Sequence, residues 1–195
     1  MKYILGLTGP TGSGKSTASK AAESLGWYVI NCDLVVRSAY EEQKVLAAVK
    51  EAFGSEVFDE NGALLRKRLA EKAFSTPENT EKLNKTVLPF IIEMINEDIK
   101  NSKSEKILLD APTLYESGAD KICNAVCVVL SDEQKRFERI TARDQISEEA
   151  ARLRMSAGKT DEYYKARTPH IIYNNAGENE LETEFKNLLN KLGGN

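Results

Sequence analysis

Gly9-Pro10-Thr11-Gly12-Ser13-Gly14-Lys15-Ser16-Thr17 fits G-x-x-x-x-G-K-[ST], a pattern whose backbone amides cradle phosphate groups. Before it, Tyr3-Ile4-Leu5-Gly6-Leu7 is a short apolar run that predicts a buried strand. After it, Ser16-Thr17-Ala18-Ser19-Lys20-Ala21-Ala22 predicts the opening turns of a helix. Strand, glycine-rich turn and helix are the context the pattern needs. Successive N–H groups wrap the phosphates, and the helix N-terminus adds partial positive charge. In this role Thr11, Gly12, Ser13, Gly14, Lys15, Ser16 and Thr17 line the phosphate chain. Lys15 reaches the β- and γ-phosphates, and the Ser16 hydroxyl ligates Mg²⁺. The rival explanation is a flexible glycine turn with a surface lysine, and the flanking elements argue against it. The stretch predicts a nucleoside triphosphate site.

The chain has 195 residues, enough for one domain with a small inserted subdomain. Hydrophobic residues make up 41% and charged residues 29%, a globular balance that argues against disorder. The net charge is -3 with no long basic run, so a large nucleic-acid footprint is not expected. Cys32, Cys123 and Cys127 form no C-x-x-C, and His170 is the single histidine, so no structural metal site is expected. Met1-Lys2 is followed by five mostly apolar residues, a run too short for a signal peptide, and no apolar segment is long enough to cross a membrane. These features predict a cytoplasmic protein without a membrane partner, a monomer or weak oligomer.

Trp27-Tyr28-Val29-Ile30-Asn31 reads as a second strand, ending at Asn31-Cys32-Asp33 before a helix over 34–40. Asp33 thus lies where open α/β sheets meet their ligands, although it would also serve as a plain helix N-cap. From 41 to 103 the pattern is helical and highly charged: a helix with Val45, Leu46, Val49 and Phe53 on one face that ends at Gly54, then helices over 63–74 and 77–100, with Pro89 expected to kink or split the last. More than sixty residues without a strand interrupt a βαβα chain, as an inserted helical lobe does. Lys106-Ile107-Leu108-Leu109-Asp110 restores the sheet, and its terminal Asp110 resembles the second Mg²⁺-site carboxylate of phosphate-loop proteins. Further strands follow over 123–130 and 169–173, with helices over 133–144, 148–157 and 181–192. His170, beside a proline at a strand start, reads as structural. The expected fold is α/β, a parallel five-stranded sheet flanked by helices. It comprises a core (1–40 and 104–195), a helical acceptor lobe (41–103) and a lid (about 139–168).

Arg136, Arg139 and Arg143 share one helical face. By itself that is a solvated stripe, but in a phosphate-loop protein arginines closing over a transferred phosphoryl group are worth about 10³ to 10⁵ in rate. Here the order of pieces resembles the dephospho-coenzyme A kinases. The resemblance is carried by Leu7-Thr8-Gly9-x-x-Gly12-Ser13-Gly14-Lys15-Ser16, by Asp33 with Arg37 one turn on, and by Phe53-Gly54. It continues through Gly62-Ala63-Leu64-Leu65-Arg66, Pro112-x-Leu114-x-Glu116, Arg139-Ile140-x-x-Arg143-Asp144 and Ile171-Ile172-x-Asn174. Departures are Leu88-Pro89 for the family's usual His-Pro, Leu65 for Asp, Ser156 for Gln, and Pro169-His170 for Ala-Asp.

The resemblance implies transfer of the γ-phosphoryl group of ATP to the ribose 3′-hydroxyl of dephospho-coenzyme A, with Mg²⁺ as the metal. It implies Lys15, Asp33, Arg143 and Arg139 as catalytic residues, with Asp33 orienting or deprotonating the hydroxyl. Asp33, Arg37, Arg66, Pro89 and Glu116 would bind the acceptor, and Asn174 and Asn175 would touch the adenine. Ser16 would hold the metal, with Asp33 and Asp110 as further candidate ligands. A phosphate-loop kinase with another hydroxyl or phosphate acceptor shares these features and stays open. A GTPase is disfavoured because Asn84-Lys85-Thr86-Val87 lacks the Asp of N-K-x-D, and no G-x-G-x-x-G supports a dinucleotide fold.

Overall fold

Leu5 and Leu7 are fully buried at the centre of the molecule's one named sheet, on strand β1 (Tyr3–Thr8). The computed structural model describes residues 2–193. Strands β2 (Tyr28–Asn31), β3 (Lys106–Asp110), β4 (Ala125–Leu130) and β5 (His170–Tyr173) complete the sheet in the order β2-β3-β1-β4-β5. Every pairing is parallel. That explains why the strands read as unbroken apolar runs: a parallel sheet is covered on both faces and has no wet side to alternate towards.

Helix α1 (Lys15–Ser24) follows β1 and lies on one face. The chain then divides into two units, Met1–Asn31 with Ser102–Asn195, and Cys32–Asn101. The second unit is helical: α2 (Cys32–Ala39), α3 (Gln43–Phe53), α4 (Arg66–Ala73) and α5 (Pro77–Asn101). The boundary falls earlier than the expected 40/41, because α2 packs on α5 and so belongs with the inserted helices. Val45, Val49, Phe53, Leu69, Val87, Ile91 and Ile95 are its buried apolar residues.

Two expectations for this unit change. Residues 63–65 are not helical: the Asp59 carboxylate accepts from the N–H groups of Asn61 (2.9 Å) and Ala63 (2.8 Å), and Phe58 bridges Leu64, so a tight hairpin precedes α4. Pro89 does not split α5, which runs unbroken through it. Proline removes one helical N–H, and here its ring sits on an exposed face.

In the sheet-bearing unit α6 (Glu133–Asp144), α7 (Glu148–Ser156), α8 (Asp161–Lys165) and α9 (Glu178–Leu192) complete the chain. Helix α8 was not foreseen. Thr160 caps it, its Oγ1 accepting from Tyr163 N at 3.3 Å, and Tyr164 is buried beside Val128 and Leu130. On the opposite face α1 and α9 enclose Leu5, Leu7, Ala18, Ala22, Val129, Phe185 and Leu189. Phe185 is 0% exposed. Phe185→Ala is expected to cost about 3–5 kcal/mol in denaturant unfolding, the usual loss for a fully buried ring. Leu153→Ala, at a position 71% exposed, should stay within about 0.5 kcal/mol.

Candidate active site

The phosphate loop leaves β1 at Thr8, where the sheet register sets Leu7 beside Asp110 and Thr8 beside Val128. The loop is therefore flanked by the carboxyl ends of β3 and β4, the edge at which open α/β sheets take ligands. Two glycines are required by space. Gly14 has φ 109, and a Cβ there would lie 2.3 Å from Asn174 Nδ2. Gly12 has φ 77, and a Cβ there would lie 2.8 Å from the Arg136 carbonyl oxygen. The loop thus presses directly on α6 and on the residue after β5. Lys15 Nζ donates to the carbonyls of Gly9 (2.8 Å) and Pro10 (3.1 Å), and Ser13 N donates to Pro10 O at 3.3 Å. A cationic head group and inward carbonyls meet across the loop mouth. Ser16, in the first turn of α1, is exposed; Thr11 and Thr17 are half-buried.

Beneath the loop lies a polar network. Asn174 is only 2% exposed, and its Nδ2 donates to Ser13 O at 2.8 Å. Arg139, from α6, donates through Nη1 to Gly12 O (3.3 Å) and Ser131 Oγ (3.0 Å). Its Nη2 donates to Asn174 O (3.0 Å) and Oδ1 (3.3 Å). Ser131 Oγ donates to Asn174 O at 2.7 Å, and Asn174 N donates to Leu130 O at 2.8 Å. Asn175 pairs with Asp132 instead: Asp132 N donates to Asn175 Oδ1 (2.9 Å), and Asn175 Nδ2 donates to Asp132 Oδ1 (2.7 Å). Asp132 precedes α6 and makes no side-chain cap hydrogen bond, because its carboxylate is engaged here. The amides of Asn174 and Asn175, expected to face a base, are both engaged within the protein. Arg139 is likewise engaged with the loop rather than held out over it.

Other predicted residues are distributed around this centre. Asp110, at the end of β3, accepts from Ser19 Oγ at 2.7 Å, one turn along α1 from Ser16. Thr8 Oγ1 donates to Pro112 O at 3.1 Å, joining the end of β1 to the Pro112–Glu116 turn. Glu116 is exposed in that turn. Burial, and then the Glu116 carboxylate, push the nearby Tyr164 phenol up to about 12. Arg143 chelates the neighbouring Asp144 (Nε–Oδ1 2.7 Å, Nη2–Oδ2 2.9 Å), and Arg154 from α7 joins the same carboxylate. Those bonds, led by Arg143, hold the Asp144 carboxyl below the usual range. Arg152 stacks on Phe137, with Cζ 4.6 Å from the ring centroid, so α7 is fastened to α6.

In the helical unit Asp33 and Arg37 stand one turn apart on α2, both exposed. Cys32 already begins the helix, so Asp33 lies in its first turn and is not its N-cap. Arg66, the first residue of α4, donates through Nη2 to Arg37 O at 3.3 Å and lies over Tyr40 at 5.7 Å. Asp33, Arg37 and Arg66 therefore gather at one place in this unit. Pro89 shares none of these contacts and lines an open groove on α5 with Ile92, Glu93 and Lys100.

Sequence reading placed Ser19 only in a helix and Ser131 only at a helix start, and missed their bonds to Asp110 and to the Asn174 carbonyl. Their spacing carries no signal of its own.

Three comparisons bear on this arrangement. The family model for dephospho-CoA kinase matches residues 3–180. A dephospho-CoA kinase of Fusobacterium nucleatum is 36% identical over 186 residues, covering 95% of this chain and 94% of that one. One from Enterococcus faecalis is 33% identical over 192 residues, covering 97% and 96%. The solved structure of the dephospho-CoA kinase from Campylobacter jejuni superposes with a TM-score of 0.72 at 26% identity, covering 100% of this chain and 99% of that one. A phosphate loop on a five-stranded parallel sheet, an inserted helical unit and a match running through both place the chain in the dephospho-CoA kinase family.

Proposed function

We propose that the protein phosphorylates the ribose 3′-hydroxyl of dephospho-coenzyme A with ATP, giving coenzyme A. The observation that carries the chemistry is the phosphate loop itself: Lys15 Nζ stands at its mouth on the Gly9 and Pro10 carbonyls, where a phosphate chain would take their place. Gly12, Ser13 and Gly14 present amides to the donor phosphates, while Thr11 and Thr17 flank them. Lys15 spans the β- and γ-phosphates. The Ser16 hydroxyl and the Asp110 carboxylate are hard oxygen donors, the type Mg²⁺ takes alongside substrate phosphates. They fit such an ion, which when bound offsets charge on the phosphate oxygens. Asp33 orients the acceptor hydroxyl and receives its proton, and Arg37 and Arg66 hold acceptor phosphate. Arg143, released from Asp144, offsets charge on the transferred group as the segment from α6 to α8 closes.

Phosphoryl transfer leaves a protein little covalent work, so positioning and charge supply the rate. Lys15→Ala is expected to abolish transfer with unchanged thermal unfolding, measured as ADP formation with dephospho-coenzyme A as acceptor. Wild-type turnover in that variant would remove the phosphate-loop reading.

Asp33→Asn separates chemistry from helix stability. A carboxylate in a first helical turn is worth at most about 1 kcal/mol on an exposed surface. The variant should unfold nearly as the parent does, yet lose at least about 10²-fold in kcat, the lower range for a positioned acid–base group. Near-normal kcat would show that Asp33 serves the helix alone.

Arg66 tests acceptor recognition. A guanidinium fork holds phosphate in two-point fashion and an ammonium does not. Arg66→Lys should raise KM for dephospho-coenzyme A and leave KM for ATP unchanged. An effect confined to ATP would contradict its place at the acceptor.

A further inference from the structure

We infer that Asn174 and Arg139 are positioning residues of the phosphate loop: they hold its carbonyls from beneath, and so aim its amides at the triphosphate. This rests on the loop being the ATP site and names residues for which no comparison assigns the task.

The argument is geometric. A trans peptide points its C=O and its N–H in opposite directions. The Gly12 carbonyl is taken by Arg139 Nη1 and the Ser13 carbonyl by Asn174 Nδ2. The N–H groups of the same two peptides, those of Ser13 and Gly14, are therefore turned to the loop's inner side. Ser13 N–H already meets the Pro10 carbonyl there, across the mouth where Lys15 Nζ also bonds. An anion that displaces the Pro10 carbonyl there finds these two donors already oriented, with no flip of either peptide.

The clamp is itself clamped. Asn174 is 2% exposed, its carbonyl receives Ser131 Oγ and Arg139 Nη2, and its own N–H is bonded to Leu130 O. Gly14 cannot carry a side chain because Asn174 Nδ2 occupies that space. A buried amide whose donor and carbonyl are both engaged is held in one orientation, since rotation would leave the Ser13 carbonyl without its partner. The same network explains why Arg139, unlike Arg143, does not face solvent: its guanidinium spans Gly12, Ser131 and Asn174. Arg139 therefore acts through the loop.

The test uses Asn174→Asp, which keeps the shape and the acceptor facing Arg139 but replaces the donor to Ser13 O with an acceptor. We expect ATP affinity, by titration of the purified protein, to fall about tenfold or more, the loss expected of a buried hydrogen bond turned repulsive. KM for ATP should rise in parallel, while affinity for dephospho-coenzyme A titrated alone changes less than about twofold. Unchanged ATP affinity, or equal weakening of both substrates, would overturn the inference. If Asn174→Asp does not fold, Arg139→Lys decides by the same two titrations, because a lysine cannot span Gly12 O and Asn174 together. Selective loss of ATP affinity supports the relay and its absence overturns it. Lys15→Ala keeps the two readings apart: an inactive Lys15 variant beside an Asn174 variant with parental ATP affinity would sink the relay and leave the phosphate loop standing.

Discussion

A loop can offer the backbone amides of Ser13 and Gly14 to phosphate only if the carbonyls of Gly12 and Ser13 are turned away from the anion, and the elements around residues 9–16 serve that constraint. β1 delivers the loop between the ends of β3 and β4. α1 begins at Lys15 with its N-terminal amides at the mouth. Gly12 and Gly14 take left-handed conformations and leave room for α6 and Asn174 to come within touching distance. β5 is short, and its main structural product is Asn174, delivered directly under the loop by the register that pairs Leu130 with Tyr173. On the proposed reading, the outer strands and α6 serve phosphate binding from outside residues 9–17.

The elements whose information is local were legible in the sequence. The strands at 3–7, 106–110 and 169–173 lie within a residue or two of β1, β3 and β5, because a buried parallel strand is an unbroken apolar run between turn residues. Ser147 caps α7 by a local bond, its Oγ accepting from Ala150 N at 3.2 Å. Where a side chain's partner lies far along the chain, reading failed. Asp132 looks like a cap and is instead paired with Asn175, 43 residues on. Asn174 follows a strand like any loop asparagine, and its burial depends on Arg139 and Ser13, which only folding brings together. The short helix α8 was masked by Gly158 and the charges around it, and its stability comes from Tyr164 packing on β4.

The helical unit is organised differently. Helices α2 to α5 bury a core of their own, and α2 carries Asp33 and Arg37 on exposed turns while α4 brings Arg66 to the Arg37 carbonyl. Remote binding of a large acceptor can supply the energy that orients its hydroxyl, so truncated acceptors should lose rate as well as affinity. Shikimate kinase from Acinetobacter baumannii shares the fold at 16% identity and a TM-score of 0.54. A shared fold therefore leaves the chemistry of the acceptor to be argued from the site.

The most direct measurement supplies the purified protein with ATP, Mg²⁺ and dephospho-coenzyme A as sole acceptor, and follows ADP formation together with the mass of the acceptor and the position of its new phosphate. The account predicts one ADP per acceptor consumed, a product heavier by one phosphoryl group, and that group on the ribose 3′-hydroxyl. ADP formed at the same rate without acceptor, or equal turnover of AMP in its place, would contradict it.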